Sequence, residues 1–152
     1  MHDLTDSQAP AFSLMDQRMH RVSSADFHGR NTLVVFIPFP FTGVCEGELC
    51  AIRDGLPRLD EVDANVVAIT CDTPFSNRAW AEQQGYDFPL LSDYWPHGEV
   101  ARAYGCFDEA RGCATRSTFV LDAAGVVRSI ISSEDFATAR EFDLYVEALQ
   151  AV

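Results

Sequence analysis

The chain has too little positive charge to seek out polyanions. Among its 152 residues, 11 are Lys or Arg and 23 are Asp or Glu, a formal net charge of −12 at pH 7. Nucleic acids and anionic membranes demand basic patches, so neither is an expected partner. No apolar stretch reaches about 18 residues, the length that suggests a membrane-spanning helix. The opening Met1-His2-Asp3-Leu4-Thr5-Asp6 is polar and acidic, where a secretory signal would be basic and then apolar. The expected location is cytoplasmic. No Cys-x-x-Cys occurs, and His2, His20, His28 and His97 show no ligand spacing to a cysteine pair, so no metal site is expected. The five cysteines, Cys45, Cys50, Cys71, Cys106 and Cys113, are an odd number and suggest no disulfide framework. Repeats, low-complexity segments and dividing linkers are missing too, so residues 1–152 read as one domain.

What is present is enough apolar material for a core, 47% of the chain, arranged in recognisable periods. Ala9 to Leu14 alternates like a short edge strand, and Val22 to Phe27 reads as a strand or turn. Thr32 to Ile37 and Asn65 to Thr70 are apolar, β-branched runs that predict buried strands. A helix follows the first of these, with Leu49, Ile52 and Leu56 on one face, and Pro57 is expected to cap or kink its end. Pro74 to Gln84 predicts a second helix stopped by Gly85. Further on come a short strand at 88–93, a short helix at 100–104 and a turn at 108–112. A strand at 117–121, a turn at 122–125 and a partner strand at 126–131 read as a hairpin. A last helix at about 137–149 places Phe142, Tyr145, Val146 and Leu149 on one face. This order predicts an α/β fold, a thioredoxin-like mixed sheet with helices on both faces.

The most informative segment is Pro38-Phe39-Pro40-Phe41-Thr42-Gly43-Val44-Cys45. It puts Cys45 where a strand ends and a helix begins. The free N–H groups of a first helical turn favour an anion, so a thiol there is biased toward thiolate, the nucleophilic form. Taken singly, the neighbouring residues have ordinary roles. Pro38 and Pro40 suit a loop, Thr42 suits a helix N-cap, Arg116 suits a surface, and Cys45 itself suits a small buried position. Only their joint spacing points to chemistry.

That spacing resembles the peroxiredoxins. Pro38-x-x-x-Thr42-x-x-Cys45 with Glu48, and Arg116 just before the strand 117–121, carry the resemblance, supported by segments 9–14, 88–93 and 102–105. The run 41–49 together with Tyr94-Trp95-Pro96-His97-Gly98 is similar to the alkyl hydroperoxide reductase E subfamily. The resemblance implies a thiol peroxidase that reduces hydrogen peroxide and organic hydroperoxides, with Cys45 as nucleophile and a sulfenic acid intermediate. It implies that Thr42 hydrogen-bonds the thiolate and the attacked oxygen. Arg116 would hold the sulfur ionised and bond the peroxide oxygens through its fork. The N–H groups of Val44 and Cys45 would complete the donor set, Pro38 would shield the sulfur, and Glu48 would orient Arg116. Glu46 and Glu48 by themselves would disfavour a thiolate, so the arginine must outweigh them. No metal, haem or other cofactor is implied. The implied partners are a hydroperoxide and a thiol reductant: thioredoxin, a glutaredoxin-like protein or a small thiol. Phe41, Tyr94 and Trp95 fit a core, but the resemblance places them at an edge that packs against a second copy, giving a homodimer.

Cys50 departs from that subfamily and fits the spacing of a resolving cysteine in the bacterioferritin-comigratory (Q-type) peroxiredoxins. Five residues of helix rise roughly 7.5 Å and turn about 500°, which sets the two Cα atoms about 8.6 Å apart. A disulfide tolerates ~7 Å at most. A Cys45–Cys50 bond therefore requires the helix to unwind. The alternatives are resolution by an external thiol with Cys50 merely buried, a thioredoxin-like disulfide reductase, and a redox sensor signalling through Cys45. Cys71 is expected to be inert. Cys106 and Cys113 flank a short turn, which leaves open whether they meet each other or approach Arg116, and a resolving role for Cys113 is a further alternative.

Overall fold

Runs rich in Val, Ile and Leu become central strands, because strands covered on both faces need apolar side chains on both. In the computed structural model, which describes residues 3–152, the chain begins with the short strands β1 (Ser13–Met15) and β2 (Arg21–Ser23) and a turn of 3-10 helix at Ser24–Phe27. Then follow β3 (Asn31–Phe36), α1 (Gly43–Glu61), β4 (Ala64–Thr70), α2 (Pro74–Gln84), β5 (Leu90–Ser92) and α3 (Glu99–Ala103). A small hairpin, β6 (Phe107–Asp108) and β7 (Cys113–Ala114), precedes β8 (Ser117–Leu121), β9 (Val127–Ser132) and α4 (Phe142–Gln150). Met1 and His2 of the polar opening segment lie outside the described residues.

Seven strands form one sheet in the order β2-β1-β5-β4-β3-β8-β9, parallel across β5-β4-β3 and antiparallel on both flanks. Successive side chains of β3 point to opposite faces. Leu33, Val35 and Ile37 pack with Leu49 and Ile52 of α1, Trp80 of α2 and Tyr145 and Leu149 of α4. Val34 and Phe36 pack with Val100 and Ala101 of α3, Tyr104 and Phe119 on the other side. Helices thus cover both faces, as the element order predicts. The α1–α4 contact is close enough to need a glycine: a Cβ at Gly55 would sit 2.3 Å from the Phe142 ring.

Three boundaries differ from the sequence reading. The first helix does not end at Pro57 but runs 19 residues through it to Glu61. Pro57 faces solvent, so water can serve the carbonyl whose partner N–H it lacks, while Leu59 beyond it is 1% exposed and pulls the last turn into the core. β1 is not the edge strand, because β2 pairs outside it. The last helix begins at Phe142, five residues later than expected. Residues 137–141 form a loop, and that loop enters the functional site.

Candidate active site

The site sits at the carboxyl end of β3, in the crevice where open α/β sheets commonly bind ligands. Ile37 donates its N–H to Ile69 of β4, and the chain then turns sharply through buried Pro38 and Pro40. Phe41 adopts φ +64°, a left-handed conformation uncommon for a bulky residue, with its ring 6.1 Å from that of Trp80. Thr42 is the N-cap and Gly43 the first residue of α1, which makes Cys45 the third residue of the first turn. Its own N–H and those of Gly43 and Val44 have no acceptor within the helix. The Cys45 side chain is fully buried.

Arg116 meets Cys45 from the opposite side. It stands just before β8, and its Nη1 is 3.2 Å from Cys45 Sγ. The same Nη1 donates to Glu48 Oε1 at 2.6 Å, while Nε and Nη2 both donate to the Phe136 carbonyl, at 3.0 and 2.7 Å. Glu48 lies one turn after Cys45 on the same helix, so both reach the same guanidinium. Glu48 thus bonds the same nitrogen that faces the Cys45 sulfur.

A second guanidinium completes the cluster, one that the sequence reading did not single out. Arg140, in the loop before α4, donates its main-chain N–H and Nε to Glu48 Oε2, both at 2.8 Å, and Nη2 to Glu48 Oε1 at 2.9 Å. Its Nη1 donates to the Thr118 hydroxyl, which donates in turn to Tyr145. Burial by itself pushes the Glu48 carboxyl up, but the hydrogen bonds and charge of Arg140, with the charge of Arg116, outweigh it and hold the group below the usual carboxylate range. Burial likewise opposes the charge on Arg140, and the hydrogen bonds and charge of Glu48 overcome that and raise it. Two buried cations thus share one carboxylate. Counting these three side chains, the cluster carries one more positive charge than negative, and the Cys45 sulfur lies against it. The chain contains no lysine; all 11 of its cations are arginines, whose planar forks suit such shared contacts. The signal that could have found Arg140 is the apolar period of α4, which begins only at Phe142 and leaves 137–141 without one.

Thr42 departs from expectation. Its hydroxyl donates to the Phe39 carbonyl at 2.8 Å and neither bonds Cys45 nor caps α1. The chain doubles back through the left-handed Phe41 and presents that carbonyl to it. Glu46, which would disfavour a thiolate, turns its carboxylate away to Trp80 and Gln84. Pro38 is buried.

All five cysteines are free. Cys45 and Cys50 lie on one uninterrupted helix. The Cys50 sulfur is 3.5 Å from the Tyr86 hydroxyl and 3.6 Å from Gln84 Oε1. Burial, aided by the charge of Asp93, pushes the Cys71 thiol up to about 12. Burial and then Asp108 push Cys113 up to about 11, and burial raises Cys106 as well. These three thiols are expected to resist brief alkylation of the folded, reduced protein at neutral pH and to react only after denaturant is added. Peptide mapping reads this directly, and labelling of Cys71 at the rate of an unfolded thiol would contradict it. Among the described residues, no group of three or more His, Cys, Asp or Glu side chains could hold a metal ion, and no helix is long and apolar enough to cross a membrane.

Residues 5–130 match the AhpC/TSA family. The chain is 43% identical over 145 residues to alkyl hydroperoxide reductase E of Mycobacterium tuberculosis strain H37Rv, covering 95% of this chain and 94% of the relative. It is 30% identical over 148 residues to peroxiredoxin Bcp of Escherichia coli K12, covering 93% and 92%. The crystal structure of Enterococcus faecalis AhpC superposes with a TM-score of 0.90 at 29% identity, covering 99% of this chain and 92% of that one.

Proposed function

The chain belongs to the AhpC/TSA family and is a thiol-dependent peroxidase, and from that premise we propose that Cys45 is its peroxide-reducing sulfur, held as thiolate by Arg116. The observation that carries the proposal is the 3.2 Å approach of Arg116 Nη1 to Cys45 Sγ inside a buried cluster of two guanidiniums and one carboxylate. The substrates are a hydroperoxide and a thiol reductant.

In this mechanism the thiolate attacks one peroxide oxygen in line with the O–O bond. That oxygen stays on sulfur as sulfenic acid, and the other leaves as alkoxide or hydroxide and takes up a proton. Charge builds on the leaving oxygen, and catalysis consists of donors already aimed at it. Arg116 supplies one and the first-turn N–H groups of Val44 and Cys45 supply others. Thr42, its proton committed to Phe39, offers its oxygen lone pairs to a peroxide O–H. Glu48 and Arg140 hold Arg116 in register, and Pro38 keeps water from the sulfur.

Cys50 then resolves the sulfenic acid. It packs at the edge of the core, and its sulfur faces two polar groups, the Tyr86 hydroxyl and Gln84 Oε1, which suits a reacting thiol. Because α1 is intact between the two cysteines, the first turn has to open before a bond forms. The whole chain acts as one domain in the cytoplasm. It pairs with a second copy through Phe41, Phe75, Tyr94 and Trp95. These are 52%, 68%, 49% and 81% exposed, and they follow β3, β4 and β5 at the same end of the sheet as Cys45.

Peptide mapping of the peroxide-treated, non-reduced protein tests both steps. The expected result is a Cys45–Cys50 linked peptide. Sulfenic acid or a mixed disulfide at Cys45 alone would return the resolving step to an external thiol. Oxidation of a cysteine other than Cys45 would remove the whole assignment.

A further inference from the structure

Gly43 and Gly47 bracket Cys45, and a Cβ at either would meet nothing within 4 Å. Neither glycine is at a positive φ. Packing and backbone conformation therefore both leave room for alanine at 47, inside the helix. Glycine there weakens the helix about fivefold relative to alanine.

One residue offsets this weakness. The Oε1 of Glu46 accepts from Trp80 Nε1 at 3.1 Å and from Gln84 Nε2 at 3.0 Å, and the Glu46 main-chain carbonyl accepts from the Tyr86 hydroxyl at 3.3 Å. Trp80 is fully buried and makes a fixed anchor. On the far side of Gly47 the helix is held separately. Glu48 is locked between Arg116 and Arg140, Leu49 is fully buried, and Arg53 donates to the Gln84 carbonyl at 2.6 Å. Gln84 and Tyr86 also face Cys50. The residue that must move and the thiol that must stay are thus held by the same two side chains.

We propose that Gly47 is a hinge and Glu46 a latch, positioning residues that set how often residues 43–46 swing away from Arg116 and deliver oxidised Cys45 to Cys50. Glu48 keeps its place throughout, so the arginine pair is never stripped of its carboxylate. The delivery step rests on the reading of Cys50 as resolving thiol. The Cys50 thiolate attacks the Cys45 sulfur of the sulfenic acid, an S–S bond forms, and the S–O bond breaks. The hydroxide released takes the proton Cys50 gave up and leaves as water. Cys50 is oxidised by the equivalents that peroxide placed on Cys45. Opening also breaks the Tyr86 bond to the Glu46 carbonyl and frees that hydroxyl to donate to Cys50.

Two measurements on the full-length protein test this. The first is hydrogen exchange of the peptide spanning 43–50 in the reduced state, which does not depend on what Cys50 does. Glu46→Ala should speed exchange at least about tenfold, since two hydrogen bonds to a charged group are lost. Gly47→Ala should slow it about fivefold, and Glu46→Gln, which keeps an acceptor for Trp80, should restore most of the protection. The second is rapid mixing with stoichiometric peroxide, followed by tryptophan fluorescence, where Trp80, its ring against Phe41 and Tyr86, reports on the opening even when residue 46 is alanine. The peroxide-independent phase should be faster in Glu46→Ala, slower in Gly47→Ala and missing in Cys50→Ser. Exchange within twofold of wild type in both Glu46→Ala and Gly47→Ala overturns the hinge and latch. A peroxide-independent phase that survives Cys50→Ser overturns the resolving role and the delivery step with it, while the exchange result judges the hinge alone.

Discussion

Replacing Arg116 by alanine is expected to slow oxidation of Cys45 by hydrogen peroxide about 10²- to 10³-fold, the usual scale for removing one preorganised donor at a developing anion. The loss has two parts. Nη1 no longer faces the sulfur at 3.2 Å, so the sulfur loses the cation that contacts it. The leaving oxygen also loses a donor that cost no reorganisation to place. Arg116→Lys keeps the charge but not the fork, which simultaneously holds Cys45, Glu48 and the Phe136 carbonyl. It should recover only part of the rate. Rapid-mixing measurement of sulfenic acid formation gives the constant, and a thermal melt guards against misfolding. An alanine variant within fivefold of wild type would mean that the sulfur is activated by something other than the guanidinium.

Glu48→Ala is expected to be the most destabilising single change in the site, by about 3–5 kcal/mol, because it strands two buried guanidiniums rather than removing a balanced pair. For a chain of this length that corresponds to a fall in melting temperature of roughly 10 °C. Its pH dependence has a definite sign. The folded carboxyl lies below its ordinary range, so its stabilisation is complete above the unfolded value of about 4.3 and is lost as pH falls through the folded value. The stability gap between wild type and Glu48→Gln should therefore be widest near neutrality and close on acidification below about pH 4. Denaturant unfolding at several pH values measures it. A gap that widens toward low pH would show that Glu48 is not held ionised by its arginines.

Much of the framework was legible because it follows from local rules. The runs at 33–37 and 66–69 are apolar at every second position and at those between, as a short strand covered on both sides requires. Helix α2 was read to the residue, with Pro74 at its first position, the Thr73 hydroxyl accepting from the Ser76 N–H, and Gly85 left-handed at φ 72°. The boundaries that failed did so where tertiary packing outweighed propensity. Pro57 reads as a stop, yet Leu59 beyond it fills the core. Ala137 to Glu141 reads as helix by composition, yet Asp135 accepts from the Ala137 N–H and Arg140 is spent on Glu48. A helix there would turn that guanidinium out of the site.

The sequence by itself determined that a thiol would stand at the mouth of a strand-to-helix turn, with a carboxylate one turn on and an arginine opening a later strand, because spacing of 3 or 4 residues fixes what shares a helix face. It also determined that Cys45 and Cys50 cannot meet on an intact helix, since helical rise and rotation depend on nothing else. Only the tertiary structure decided that Arg116 reaches the sulfur, that Arg140 joins it across 92 residues from Glu48, and that the Thr42 hydroxyl turns instead to Phe39. Those contacts are long-range or hinge on one left-handed residue, and charge balance in a buried cluster is a property of groups brought together from separate elements, which no local pattern encodes.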